Sequence, residues 1–128
     1  TGYAERVESY ISDFDIFFIP SKYEDPFPRV VIEAMSLGKP VLGYNIGGIG
    51  EAIDNKINGF SFNLKDKGVV DYLLELIEDE ELRLKMSYEA RKKAVNNYDS
   101  RIIATKIIDN LKLLFSWCPI RNFYANSC

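Results

Sequence analysis

The sequence contains no histidine. That absence removes a Ser-His-Asp triad, a Cys-His dyad and every His-ligated metal site from consideration. Cysteine is nearly absent too: Cys118 and Cys128 are too few and too near the end for a disulfide framework, which points to a reducing, intracellular setting. No apolar run approaches the roughly 20 residues of a membrane-spanning helix, and no signal-peptide pattern is present. Neither sign of charge dominates: 16 Lys+Arg against 19 Asp+Glu leave a net charge of −3. Such a balance gives no broad field to attract nucleic acid or an anionic membrane. Internal repeats and low-complexity linkers are also missing. The chain starts at Thr1 rather than Met, so it is expected to be processed or cut from a longer polypeptide.

What is present is 128 residues, 47% hydrophobic and 27% charged. That is the composition and length of one small globular domain. Val7, Tyr10 and Ile11 recur at helical spacing and predict a helix over about 4–12. Residues 15–21 (DIFFIPS) are a short, almost wholly apolar run, as in a strand covered on both faces of a parallel sheet. A loop with two prolines and two acids follows at 22–28 (KYEDPFP). Residues 29–37 form a helix candidate, with Pro28 suited to its first position and Gly38 to its C-terminal cap. Its apolar residues cover most of the circumference, which predicts burial nearly all round.

A second strand is expected at 40–44 (PVLGY), a Gly-rich turn at 45–50 (NIGGIG), a short helix at 51–54 and a third strand at 60–62 after the Asn58-Gly59 turn. Three helices should follow. Val69, Val70, Leu73, Leu74 and Ile77 mark the first; Leu82, Met86, Ala90 and Ala94 the second; Ile103, Ile107, Leu111 and Leu114 the third. Asp99 or Ser100 is placed to cap the third helix. The fold class is α/β: a partial, Rossmann-like parallel sheet of about three strands with C-terminal helices.

In open parallel sheets, ligands sit outside the carboxyl ends of the strands. The loops 22–28 and 45–50 should both open there. The first feeds a helix N-terminus, whose free N–H groups and partial positive charge favour an anion such as phosphate. Asp25 in that loop and Glu33 in the helix lie eight positions apart. A carboxylate accepts two hydrogen bonds side by side and so suits the paired hydroxyls of a ribose or hexose.

Plainer roles stand beside these. Glu33 could pair with Arg29 one helical turn earlier. Asp25 could cap the helix or form an Asx-turn before Pro26. Gly47, Gly48 and Gly50 could serve only a tight turn against the sheet, and Glu51 is equally open. Arg91-Lys92-Lys93 reads as a solvated helix face. Tyr3, Tyr10 and Phe14 read as core, and Trp117 and Phe123 as residues that pack on a further domain.

The segment 21–53 (SKYEDPFPRVVIEAMSLGKPVLGYNIGGIGEAI) resembles the donor-binding half of retaining glycosyltransferases of GT-B architecture. More narrowly, it is similar to the large group-1 family (glycosyltransferase family 4). Asp25-Pro26-Phe27 and Glu33-Ala34 match the family's acid-x7-acid motif. Gly38-Lys39-Pro40-Val41, Gly47-Gly48-Ile49-Gly50-Glu51 and Asn58-Gly59-Phe60 follow in the family's order. Each piece is weak by itself; the ordered series is specific, and the likeness runs from about Gly2 to Phe115.

The resemblance implies that the chain is the distal part of a GT-B donor domain, with residues 1–115 in that domain and 116–128 a tail. It implies that Glu33 holds the ribose hydroxyls of a nucleoside-diphosphate sugar. Asp25, as the motif's first acid and the catalytic candidate, would hydrogen-bond hydroxyls of the transferred sugar. Phe27, Pro28, Arg29 and Val30 would line the substrate site, and Gly47, Gly48 and Glu51 would form either a phosphate contact or a structural turn. The sequence departs from the family at two places. Asp25 replaces the usual Glu, one methylene shorter. Pro28 replaces the usual Gly, which removes one N–H and leaves Arg29 and Val30 as backbone donors.

The implied activity is transfer of a sugar to a glycan, lipid or protein acceptor with retained configuration, as in polysaccharide biosynthesis. No cofactor or metal is implied; the nucleotide sugar is the donor substrate. The acceptor would bind an N-terminal domain lying upstream, together with the family's basic pair and its active-site histidine. These 128 residues alone are therefore expected to be inactive. The implied location is cytoplasmic, including the inner face of a membrane reached through the upstream part, with no nucleic-acid partner. Two other readings share the architecture: a non-hydrolysing sugar-nucleotide epimerase, and a non-catalytic nucleotide-sugar-binding or interaction module. The Asp-Pro-Phe…Glu-Ala series favours the transferase.

Overall fold

The computed structural model describes residues 7–26 and 28–117, with side chains as far as Leu113. Tyr3, Phe27, Cys118, Phe123 and Cys128 lie outside the described residues, as do the side chains of Leu114 and Trp117. The elements in chain order are α1 (Val7–Ser12), β1 (Phe17–Ile19), α2 (Arg29–Ser36), β2 (Val41–Tyr44), α3 (Gly47–Ala52), β3 (Gly59–Phe62), α4 (Val69–Glu78), α5 (Glu80–Tyr98) and α6 (Ser100–Trp117). The strands form a parallel sheet in the order β1-β2-β3, with Phe17 opposite Val41 and Val41 opposite Gly59. This is the expected α/β alternation, and all three strand carboxyl ends lie on one edge.

Burial follows position in the sheet. Central β2 is buried at Val41, Leu42 and Gly43, and successive side chains serve opposite faces. Val41 packs with Ile11, Val31, Ala34, Met35, Ile49 and Ala94. Leu42 packs on the other face with Phe60, Phe62, Leu76 and Met86. The expectation of a strand covered on both faces, made for residues 15–21, holds for β2 and not for β1. Only 17–19 pair in β1, and among the described residues Phe18 is 42% exposed, with Phe17 and Ile19 half-buried.

Helix α2 ends as its sequence suggests. Gly38 takes φ +70; its N–H bonds Met35 and the Lys39 N–H bonds Ala34, both at 2.9 Å, a Schellman arrangement. Its start differs by one residue. Pro28 is the N-cap rather than the first helical residue, and its carbonyl accepts from Val31 at 3.0 Å and Ile32 at 3.3 Å. Burial all round is also incomplete: Val31, Ala34 and Met35 are buried, whereas Ile32 and Glu33 are half-buried.

Larger corrections come from α3, α4 and the aromatic residues. The stretch expected as a turn up to Gly50 is already helix from Gly47. Glycine's low helix propensity argues against this, but Ile49 and Ala52 anchor the helix in the core, and Gly48 lies too close to the Asp25–Pro28 loop to carry a side chain. In α4 the inward face is Val69, Leu73 and Leu76; Val70, Leu74 and Ile77 point outward. Tyr10 and Phe14, read as core, are 63% and 48% exposed. Helix α5 keeps its expected stripe, with Met86, Ala90 and Ala94 buried. Asp79 caps α5 through the Leu82 N–H at 2.8 Å, and Asp99 caps α6 through the Arg101 N–H at 2.8 Å. In α6 Ile103 is half-buried, whereas Ile107 and Leu111 are exposed.

Asn58 shows why the Asn-Gly-Phe piece has its composition. It is 1% exposed. Its Oδ1 accepts from the Asp54 N–H at 2.9 Å, and its Nδ2 donates to the Ala52 carbonyl at 3.2 Å. One side chain thus satisfies two backbone groups in the turn that delivers β3. Asn58→Ala orphans both and is expected to cost about 1–3 kcal/mol, read as a lowered urea midpoint.

Candidate functional site

Three loops open at the carboxyl edge of the sheet: 20–28 after β1, 45–46 after β2 and 63–68 after β3. The first two meet. The Gly48 N–H donates to the Asp25 carbonyl at 2.8 Å. A Cβ on Gly48 would lie 2.6 Å from Pro28 Cδ, 2.7 Å from the Pro26 carbonyl oxygen and 2.9 Å from that of Asp25. A Cβ on Gly47, at φ +49, would lie 3.0 Å from the Asp25 oxygen. The β1–α2 loop therefore rests backbone against backbone on the start of α3.

Asp25 is exposed on this loop, and Pro28 behind it is buried. Pro28 provides no side-chain cap to α2, so the N–H groups of Arg29 and Val30 gain no capping bond from it and carry the partial positive charge of the helix start. Since Pro28 is the N-cap residue, Asp25 does not occupy the cap position. Glu33 lies one turn along α2, and its Oε1 is 3.7 Å from an Arg29 guanidinium nitrogen. The Glu33 side chain is 32% exposed and that of Arg29 82%, so this pair is partly solvated and weak. The i, i+4 partner envisaged for Glu33 is therefore present without sealing the carboxylate from a ligand. Phe27, another expected substrate contact, lies outside the described residues.

Glu51 is exposed, and its carbonyl accepts from Lys93 Nζ at 3.0 Å. Lys93 also pairs with Asp54 at 2.9 Å, with 14% of its side chain exposed. Arg91 donates to the Ser36 carbonyl at 2.6 Å. The Arg91-Lys92-Lys93 run is thus only partly a solvated face: two of its members tie α5 to the ends of α2 and α3. Nearby, burial followed by the charges of Asp54 and Glu51 pushes the Tyr98 hydroxyl above its ordinary range. Sequence reasoning missed these ties because Lys and Arg on a charged helix read as solvent-facing. It also missed Asn45, whose Oδ1 fills the space a Cβ on Gly50 would need.

Among the described residues, no group of three His, Cys, Asp or Glu side chains could hold a metal ion. No described helix is long and apolar enough to cross a membrane.

Residues 1–93 match the family model described as glycosyl transferases group 1. The N,N'-diacetylbacillosaminyl-diphospho-undecaprenol α-1,3-N-acetylgalactosaminyltransferase of Campylobacter jejuni is 33% identical over 108 residues, covering 84% of this chain and 28% of that protein. The crystal structure of Anabaena HepE in complex with UDP-glucose superposes with a TM-score of 0.79 at 25% identity, covering 88% of this chain and 31% of the other. The C-terminal domain of a group 1 family protein, LpcC of Francisella tularensis, shares the fold with a TM-score of 0.69 at 24% identity, covering 78% of this chain and 53% of that one. The chain thus spans under a third of the length of the first two proteins.

Proposed function

Because the chain belongs to the group 1 glycosyl transferases, we propose that it supplies part of the donor site of an enzyme that transfers a sugar from a nucleoside-diphosphate sugar to an acceptor. The observation that carries this reading is the junction of the Asp25–Pro28 loop, the α2 N-terminus and the Gly47-Gly48 turn at the carboxyl edge of a parallel sheet. That edge is where such folds bind nucleotides. The amides of Arg29 and Val30 donate to the diphosphate and transferred sugar, and Phe27 and Pro28 contribute further substrate contacts. Glu33 accepts from the ribose hydroxyls, and Asp25 from hydroxyls of the transferred sugar. Residues 1–115 belong to the donor domain. A glycan, lipid or protein acceptor binds elsewhere in the full-length protein, in the cytoplasm or at the inner face of a membrane. Configuration is retained, and these 128 residues alone do not catalyse transfer.

The test is to incubate full-length protein with a panel of nucleotide sugars and candidate acceptors. Released nucleoside diphosphate together with a product of unchanged anomeric configuration is expected. Conversion of the nucleotide sugar to an epimer without transfer would establish the isomerase reading instead. Binding without turnover across the panel would establish a non-catalytic module.

A further inference from the structure

The geometry points to Gly48 as a positioning residue for the donor loop, acting through the Asp25–Pro28 backbone rather than touching the diphosphate. This inference rests on the donor-site reading above. Two independent features carry it. The Gly48 N–H is already committed to the Asp25 carbonyl at 2.8 Å, so it is not an open amide awaiting an anion. The Gly48 Cα is also pressed against the loop. A Cβ there would stand within 3.0 Å of three atoms, of which two are backbone oxygens and one belongs to the Pro28 ring. None of these is the movable end of a flexible side chain, so the loop itself must shift to admit a methyl group.

Gly48 is buried, and Ile49 beside it is seated in the core. The turn is therefore the fixed partner and the exposed loop the one that gives way. The same contact explains Pro28, which sits where a glycine is usual in the family. Its buried ring supplies apolar surface to Gly48 while giving up an N–H. Donor geometry thus depends on a residue that has no side chain and makes no ligand contact.

The measurements use the full-length protein carrying Gly48→Ala. Donor KM and nucleoside-diphosphate affinity are expected to weaken by about tenfold, or about 1.4 kcal/mol, because the amides and carboxylate on the displaced loop no longer meet the donor. Acceptor KM should stay close to wild type, and the global unfolding midpoint should fall by less than that of Gly59→Ala, leaving the protein folded under the assay conditions. Amide exchange in ligand-free protein should accelerate in a peptide spanning 22–28 and not in α4 or α5. Unchanged donor affinity overturns the inference. So does an affinity loss accompanied by uniformly faster exchange, which would mark a global packing defect. If Gly48→Ala does not fold, Gly47→Ala decides the matter: the 3.0 Å approach to the Asp25 oxygen, added to backbone strain at φ +49, should weaken donor affinity and loosen the 22–28 peptide in the same direction, and no shift overturns the proposal. Failure of the donor-site reading looks different, because wild type itself would then bind no nucleotide sugar while the exchange experiment still reports whether Gly48 orders the loop.

Discussion

Glu33→Gln in the full-length protein is expected to weaken nucleotide-sugar binding by about tenfold to a hundredfold, with little change in stability. Hydrogen bonds to a charged acceptor contribute about 1.5–3 kcal/mol each, and tenfold in affinity is about 1.4 kcal/mol. Glutamine keeps the shape but loses the charge and one acceptor, so a bidentate grip on paired ribose hydroxyls becomes a single weaker bond. The rival account assigns Glu33 only to its pair with Arg29. That contact is 3.7 Å long, with the two side chains 32% and 82% exposed. Losing it costs about 0.3–0.5 kcal/mol and leaves donor affinity untouched. Titration of wild type and Glu33→Gln with nucleoside diphosphate and with nucleotide sugar separates the two. Equal affinities would remove Glu33 from the site. Arg29→Ala provides the complementary reading, since it breaks the same pair while retaining the carboxylate.

The layout of this site was legible in the sequence to the extent that local chemistry dictates it. Pro28 before an apolar helix and Gly38 after it bracketed α2 to within a residue, because ring closure and left-handed backbone are properties of single residues. The apolar PVLGY run became the buried central strand. What stayed hidden depends on which surface another element covers. Residues 15–21 and 40–44 are similarly apolar, yet among the described strands only the second is flanked on both sides. Period alone grouped Val70, Leu74 and Ile77 with Leu73, and only packing shows that α4 turns Leu73 and Leu76 inward. Glycine counts against helix and so predicts a shorter α3, whereas tertiary contact at Ile49 and Ala52 decides its state. The site followed the same pattern. Asp25, Glu33 and the glycines follow from loop position and motif order, but the bond joining the two loops is a backbone contact, and no residue type announces it.

The site's construction divides the work between rigid and adaptable parts. The sheet edge and the core-anchored α3 form the rigid part. Exposed Asp25 and partly exposed Glu33 are carried on segments whose backbone is fixed from behind, by Gly48 for the loop and by α5 for α2. Arg91 reaches the Ser36 carbonyl at 2.6 Å, the Ser87 hydroxyl donates to the Gly38 carbonyl, and Lys93 reaches the Glu51 carbonyl at 3.0 Å. Cations at the last carbonyls of α2 and α3 also complement the negative ends of those helices. Helix α5 therefore acts as a brace across the ends of two helices whose opposite ends face the candidate site.

Gly59→Ala should produce the largest loss of stability of any single-methyl addition in the sheet. A Cβ on Gly59 would fall 2.0 Å from the Val41 carbonyl oxygen and 2.9 Å from the Val41 nitrogen. Both belong to the central strand, directly opposite in the β2–β3 register. Neither can swing aside as a side chain would, so β3 must separate from β2 at its first pair. Overpacking against movable side chains costs about 1–3 kcal/mol; against paired backbone the cost is expected to reach at least about 3 kcal/mol. Phe60, which follows immediately, is 2% exposed and stacks on Tyr72 with ring centroids 4.8 Å apart. Displacing the strand also disturbs the core beneath α4. Gly68→Ala is the uncrowded comparison: a Cβ there meets only Asp71 Oδ2 at 3.6 Å, and replacing this N-cap glycine of α4 should cost no more than about 1 kcal/mol. Urea unfolding of the two variants beside wild type reads the difference directly. If Gly59→Ala unfolds at the midpoint of Gly68→Ala, the close approach of β3 to β2 is not the reason glycine occupies position 59.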